Sequence, residues 1–326
     1  MLKGLVMSRH VILGAGPIGR AVATRLLTAG EQVTVATRSG TRVPGADAVR
    51  LAGADPRLRE RIDGAATLIV ATNPPYQAWE QEWPPLLGNA IEATAATGAD
   101  LVLIGNLYAH APGTSPMTAA TPLRPTTRKG AVRARMWEDL VAAHRAGRVR
   151  VTEIRASDYC GPEALSTASA HAGKRFVEPL LAGRTAHVVG DPDAPHSWTA
   201  VDDIAATAVA VIGSESGWGR PWVVPTEPPR SLREMASDIA RAAGLARARV
   251  RQYPRVLVRG LGLVDPMMRE LGEVLYQHVE PFVSDGSQTT DLLGVCATPW
   301  REVIATTVAA ARRVPAEPAW LPSTTA

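Results

Sequence analysis

Val11-Ile12-Leu13-Gly14-Ala15-Gly16-Pro17-Ile18-Gly19 is the stretch whose reading decides the fold. An apolar strand runs directly into Gly-x-Gly-x-x-Gly, and the pattern from Ala21 to Leu27 is helical. Each glycine has a mechanical task. Gly14 permits a tight turn, Gly16 lets a pyrophosphate approach the backbone, and Gly19 lets the helix pack on the strand. The helix N-terminus then offers free N–H groups and the positive end of its dipole to phosphate. A dinucleotide site that includes Pro17 and Ile18 is expected here.

The next strand, Val33 to Ala36, ends in Thr37-Arg38-Ser39, with no acidic residue between Val33 and Gly45. An NAD site usually carries Asp or Glu at this tip, accepting from the ribose 2′-hydroxyl. A carboxylate would repel a 2′-phosphate, whereas a guanidinium pairs with it bidentately. Thr37, Arg38 and Ser39 therefore point to NADP (NADPH), against the plain alternative of a solvated loop arginine.

Working outward, 326 residues exceed one typical domain. The expected organisation is an NADP-binding domain from residues 1–160 plus about 197–226. A substrate lobe is expected from about 161–196 and 227–326. The formal charge of +4 comes from arginine, since Lys3, Lys129 and Lys174 are the only lysines. These basic residues are scattered among acids, which predicts no nucleic-acid partner. Cys160 and Cys296 are too few for a disulfide framework. No apolar run reaches spanning length and Met1 to Met7 lacks a signal-peptide pattern, so a cytoplasmic protein without a membrane partner is expected.

Alternating elements predict an α/β fold, a Rossmann-type doubly wound parallel sheet with a smaller, mainly helical C-terminal lobe. Strands are expected at Ala48 to Leu51, Thr67 to Ala71, Leu101 to Ile104, Arg150 to Arg155, Ala186 to Val189 and Trp222 to Val224. Helices are expected at Asp55 to Ile62, Tyr76 to Thr97, Ala131 to Ala146, Ala164 to Leu181 and Asp202 to Val211. Pro84-Pro85 predicts an irregular start to the second of these. Ser231-Leu232-Arg233-Glu234 reads as a capping box. The last hundred or so residues read as mostly helical, with a frayed tail from Pro315.

Four blocks make the chain resemble the extended, here atypical, short-chain dehydrogenase/reductase superfamily of the NAD(P)-dependent epimerase/dehydratase type. They are Gly14 to Gly19, Ile104-Gly105-Asn106-Leu107-Tyr108, Arg155 to Pro162, and Trp198 to Ala205. The resemblance implies a Rossmann core with a lobe closing a substrate cleft over the nicotinamide. It also implies a Tyr-x-x-x-Lys pair with a Ser or Thr, in which tyrosine moves the proton and lysine lowers its pKa.

That machinery is missing from the sequence. None of Tyr76, Tyr108, Tyr159, Tyr253 or Tyr276 has lysine four residues on, and Pro125 precedes Lys129 at that spacing. The resemblance places Lys129 at the family's lysine, able to reach the nicotinamide ribose, against the plain alternative of a surface lysine. Tyr108 is the candidate substitute acid because strand C-termini face the cleft in this fold. His110, close behind it, is a second acid–base candidate. Asn73 and Pro74 are expected beside the cofactor, with Tyr76, Asn106, Tyr159 and His196 around the substrate. Near the third strand, Ala52 stands where the family's adenine-contacting acid would be, with Asp55 three residues on. No histidine pair has metal-ligand spacing, so no metal is expected. Cys160 reads as a small buried apolar residue.

Three functions stay open. One is an NADP(H)-dependent oxidoreductase or epimerase-like enzyme acting on a carbonyl or alcohol of a small-molecule substrate, with an unusual proton donor. Another is an NADP-binding sensor or regulatory protein without catalysis. The third is a non-redox isomerase or cyclase. Related folds pair through helices, so a homodimer is a further expectation.

Overall fold

The turn after the first strand positions everything else. The computed structural model describes residues 7–167, 171–254 and 272–313. Strand β1 (Arg9–Leu13) ends at Gly14, whose φ of +113° is readily open only to glycine. Helix α1 (Pro17–Thr28) then starts at Gly16, with Pro17 at its first position.

The strands that follow in the main sheet are β2 (Gln32–Thr37), β3 (Asp47–Arg50), β4 (Thr67–Val70), β5 (Asp100–Asn106), β6 (Val151–Ala156) and β10 (Pro221–Val223). With β1 they form a seven-stranded sheet of order β10-β6-β5-β4-β1-β2-β3. Every pairing in it is parallel, so the crossovers must place helices on its faces. Between β6 and β10 the chain forms a short parallel pair, β7 (Tyr159–Cys160) with β9 (Thr199–Ala200). The order of the main sheet reverses between β1 and β4, which opens a crevice beyond their C-terminal ends. This is the Rossmann-type α/β fold that the alternation of elements predicts.

Both faces are covered, which is why β1 and β4 read as near-continuous apolar runs. Helices α3 (Trp79–Thr97) and α4 (Arg128–Arg145) bury Trp79, Trp83, Leu87 and Leu140 on one face. Helices α1 and α6 (Val201–Ile212) bury Val22, Leu26, Ile204 and Ala208 on the other. A separate core gathers Phe176, Leu180, Trp198, Met235 and Trp300. It is built from α5 (Lys174–Leu181), α7 (Leu232–Ala243) and the C-terminal helix Trp300–Arg313. Asp203 ties that C-terminal segment to the sheet domain by accepting from Thr298 N–H at 2.9 Å and from its hydroxyl at 2.6 Å.

Several expectations are corrected. The helix expected over Ala164 to Leu181 is instead a 3-10 turn, Pro162–Ser166, and α5, with residues 168–170 outside the described set. Thr167 closes the 3-10 turn in extended backbone, which breaks the helical path. The helix expected from Asp55 is a shorter α2 (Leu58–Ile62), because Asp55 folds back to accept from Arg57 N–H at 2.9 Å. Tyr76–Ala78 is a 3-10 turn ahead of α3, and Pro84 and Pro85 lie inside that helix rather than at its start. The C-terminal region also contains a strand, β11 (Arg249–Gln252), paired in parallel with β8 (Thr185–Val188). The capping box forms as read: Ser231 Oγ accepts from Glu234 N–H at 3.2 Å, and Glu234 Oε2 accepts from Ser231 N–H at 2.7 Å. The tail from Pro315 lies outside the described residues, and no described helix is long and apolar enough to cross a membrane.

Candidate active site

A cleft of about 2130 Å³ runs from the glycine turn, past the ends of β4, β5 and β6, to α5 and β8. Pockets for one small ligand span roughly 300–1,000 Å³, so this one has room for two.

At one end lies the cradle. A Cβ on Gly14 would sit 2.8 Å from Ala71 backbone atoms, and one on Gly19 would sit 2.2 Å from the Gly14 carbonyl oxygen. A Cβ on Gly16 would meet no protein atom within 4 Å. Two glycines are thus needed by the protein itself, while the third faces open space at the start of α1. There the N–H groups of Ile18 and Gly19 have no intrahelical acceptor. Gly14, Gly16, Pro17 and Ile18 line the cleft, and Gly19 stands behind it as the packing glycine. The arrangement fits a dinucleotide pyrophosphate.

The tip of β2 brings Thr37, Arg38, Ser39 and Thr41 to the same wall. Thr37 Oγ1 accepts from Thr41 N–H at 2.8 Å, and the Ser39 and Thr41 hydroxyls lie 2.7 Å apart. Arg38 is exposed, and among the described residues no carboxylate pairs with it. Ala52 lines the cleft as well, whereas Asp55 is bound to Arg57 at 2.6 Å and does not.

Beyond the crevice lie the polar groups of the middle section. The Tyr76 and Tyr108 hydroxyls are 3.0 Å apart. Burial raises the pKa of both and carries Tyr108 well above the ordinary phenol range, so both are protonated at neutral pH. Asn106 Oδ1 accepts from Tyr108 N–H at 3.1 Å, which fixes the chain end of β5. Asn73, Pro74, Tyr76, Asn106 and Tyr159 all line the cleft.

Lys129 and His110 take other places. Lys129 is buried, with Nζ 2.8 Å from Glu273 Oε2 and 5.5 Å from the Tyr76 ring centroid, and it does not line the main cleft. Arg133, one helical turn later, lines it instead. Its guanidinium packs against the rings of Trp79 (4.5 Å) and Trp83 (4.7 Å), and Nη2 donates to Asn73 Oδ1 at 3.3 Å. Its Nε and Nη1 have no partner among the described residues. His110 is buried outside the cleft lining, and neither ring nitrogen has a hydrogen-bond partner among the described residues. Burial, reinforced by Arg155, pulls its pKa down to about 4, so the ring is neutral at physiological pH.

His196 also stands back from the cleft, its Nε2 3.3 Å from Asp158 Oδ2. Asp158 lines the cleft together with His171 and His278, whose rings stack with centroids 4.0 Å apart. In the sequence Arg133 and Asp158 do not stand out as site residues, and His171 and His278 read as structural. Asp158 carried a usable signal, since it lies just past the C-terminal end of β6, where cleft residues collect. At the far end Lys174, Arg175 and Arg184 line the cleft together with Glu178, which lies 3.7 Å from Lys174.

Residues 88–224 match the model of the NAD dependent epimerase/dehydratase family. No curated protein matches the chain. Among solved structures it is similar to MoeE5 in complex with UDP-glucose and NAD, at 18% identity and a TM-score of 0.75, covering 94% of this chain and 99% of that one. A UDP-N-acetylglucosamine 4-epimerase from Bacillus cereus gives 12% identity and a TM-score of 0.75, with 94% and 99% covered. A UDP-glucose 4-epimerase from Thermus thermophilus, in complex with NAD, gives 19% identity and 0.73, again with 94% and 99% covered. At these identities the likeness is one of fold. Residues 88–224 thus carry the sequence pattern of the epimerase/dehydratase family, and the whole chain has the fold of the extended short-chain dehydrogenase/reductase superfamily that its motifs resemble.

Proposed function

We propose that this protein is an NADP(H)-dependent enzyme acting on an alcohol or carbonyl of a small metabolite, with Tyr108, Tyr76 and Arg133 in place of a Tyr-x-x-x-Lys pair. The observation that carries the reading is the continuity of one cleft from the Gly16 cradle to the Tyr76–Tyr108 hydroxyls.

When bound, the nicotinamide supplies hydride transfer to or from a substrate carbon. The chain's own residues handle the rest. Gly16 and the N-terminus of α1 hold the pyrophosphate, and Arg38, with the Thr37 and Ser39 hydroxyls, takes the 2′-phosphate. In the reducing direction a Tyr108 phenol donates its proton to the substrate oxygen while the Tyr76 hydroxyl donates to Tyr108. The Arg133 charge favours the tyrosinate that results, opposing the rise that burial imposes on both phenols. Arg133 lines the cleft, where its charge suits a ligand oxygen. Lys174, Arg175 and Arg184 suit an anionic group at the far end of the substrate.

Coenzyme titration tests the first half of this reading. Wild type should bind NADPH more tightly than NADH, and Arg38→Ala should weaken NADPH by about 10–100-fold while leaving NADH unchanged. Equal affinities in the wild type would overturn the NADP assignment. Incubation of the NADPH complex with a panel of carbonyl compounds tests the second half. Tight coenzyme binding without oxidation of NADPH by any of them would favour the sensor reading instead.

A further inference from the structure

We propose that Asp158, His196 and His278 form a binding site for a divalent transition-metal ion, of which zinc is the representative probe. The three residues come from separate parts of the chain. Asp158 follows β6, His196 precedes β9, and His278 ends the 3-10 turn Leu275–His278.

The spacing suits coordination. Asp158 Oδ2 lies 3.3 Å from His196 Nε2 and 3.6 Å from His278 Nε2, and the three ligand atoms all fall within 4.8 Å of one another. Zinc–nitrogen and zinc–oxygen bonds of about 2.0–2.2 Å in tetrahedral geometry put ligand atoms roughly 3.3–3.6 Å apart. Two imidazoles and a carboxylate also suit iron, cobalt or nickel, which makes the class clearer than the element.

Hydrogen bonding gives the second argument. His196 Nδ1 lies 3.1 Å from the Gln277 carbonyl oxygen, which can only accept, so Nδ1 carries the proton. Nε2 is then the ring nitrogen that lies nearest Asp158. Asp158 Oδ2 is itself a buried atom without a hydrogen-bond partner among the described residues. A carboxylate oxygen and an imidazole nitrogen at 3.3 Å are held together favourably by a positive centre between them. The Ser157 hydroxyl, 3.4 Å from His196 Nε2, reaches the ring but supplies no charge. A metal ion answers both groups at once, and the Gln277 carbonyl is the outer partner that orients a ligating histidine.

The site is also built. His196 bridges Arg230 and Phe282, and its ring lies 5.1 Å from that of Phe282. Gly190, at φ +96°, lets the backbone approach His278 so closely that a Cβ would clash with the His278 carbonyl oxygen. Asp191 N–H donates to that carbonyl at 2.7 Å. Asp158 and His278 line the cleft, so an ion held there would turn its remaining coordination positions toward the substrate space and polarise a substrate oxygen.

Zinc titration of tag-free, metal-stripped full-length protein, followed by calorimetry, is the test. It uses no coenzyme, so its outcome is separate from that of the NADP reading. Wild type should bind about one zinc ion, and Asp158→Asn and His278→Ala should each weaken it by about 100-fold or more. The exposed-strand variant His187→Ala should bind zinc as wild type does. Circular dichroism identifies any variant that fails to fold, and the other variant then decides. Cobalt loading gives a second readout: visible absorption of a low-coordinate Co(II) centre, lost in His278→Ala. The proposal is overturned if wild type takes up no zinc, or if a folded Asp158→Asn or His278→Ala binds it like wild type.

Discussion

The hydroxyls of Tyr76 and Tyr108 lie 3.0 Å apart across a separation of 32 residues. One comes from the segment after β4 and the other from the end of β5, and parallel neighbours bring those two chain ends together. If this pair moves the proton, Tyr108→Phe should lower turnover by about 10²–10⁴-fold. NADPH affinity should stay within a factor of about three, since no coenzyme charge is removed. Steady-state rates and coenzyme titration on the same samples check both halves, and an unchanged rate removes Tyr108 from the mechanism.

Two cations one turn apart on α4 should respond in different ways. Lys129→Met leaves the half-buried Glu273 carboxylate without its Nζ partner, though Arg128 still reaches it, and the loss should cost about 1–3 kcal/mol. Arg133→Met removes a desolvated charge but also its contacts with the Trp79 and Trp83 rings and with Asn73, so unfolding in the absence of ligand should change by no more than about 1 kcal/mol. Turnover of the Arg133 variant should nonetheless fall by about 10²-fold, the effect of losing a charged hydrogen-bond donor. Denaturant midpoints and rates for both variants separate structural from functional cations.

Gly16→Ala and Gly19→Ala should dissociate binding from stability. The new methyl at residue 19 would lie 2.2 Å from a backbone oxygen, which forces the turn to move and costs about 1–3 kcal/mol. The methyl at residue 16 meets no protein atom within 4 Å and should leave the melting temperature unchanged. If that open space takes the coenzyme pyrophosphate, as proposed, binding should drop sharply in calorimetry.

Acid sensitivity follows from His110. Its folded pKa, about 4, lies below the ordinary 6.5, so the unfolded chain binds more protons between those values. The contribution is fully present above pH 6.5 and is lost as pH falls toward 4. Between pH 7 and 5 the loss should be about 2 kcal/mol. His10, His171 and His278 are also lowered by burial and add to the decline, so the difference in urea midpoints between wild type and His110→Gln at the two pH values isolates this share.

How much of this was legible depended on the range of the forces involved. The capping box, the glycine turn and the start of α1 are set by hydrogen bonds and sterics within a few residues, so their sequence pattern sufficed. The helix expected over Ala164 to Leu181 misled because Thr167 leaves the helical path, a choice its own propensity does not dictate. The family resemblance points to Lys129, yet Lys129 pairs with Glu273, 144 residues away, and Arg133 lines the cleft instead.

By itself the sequence determined a phosphate cradle on a parallel α/β sheet and a guanidinium where an acid would be expected, because both follow from local backbone and side-chain chemistry. Tertiary structure alone decided which polar groups meet. The crossovers align the C-terminal ends of β4, β5 and β6 along one crevice, and that edge joins Tyr76 to Tyr108. Packing of the C-terminal segment against it then sets His278 beside Asp158 and His196. Contacts between residues so distant in the chain depend on sheet order and packing, which no short window of residues encodes.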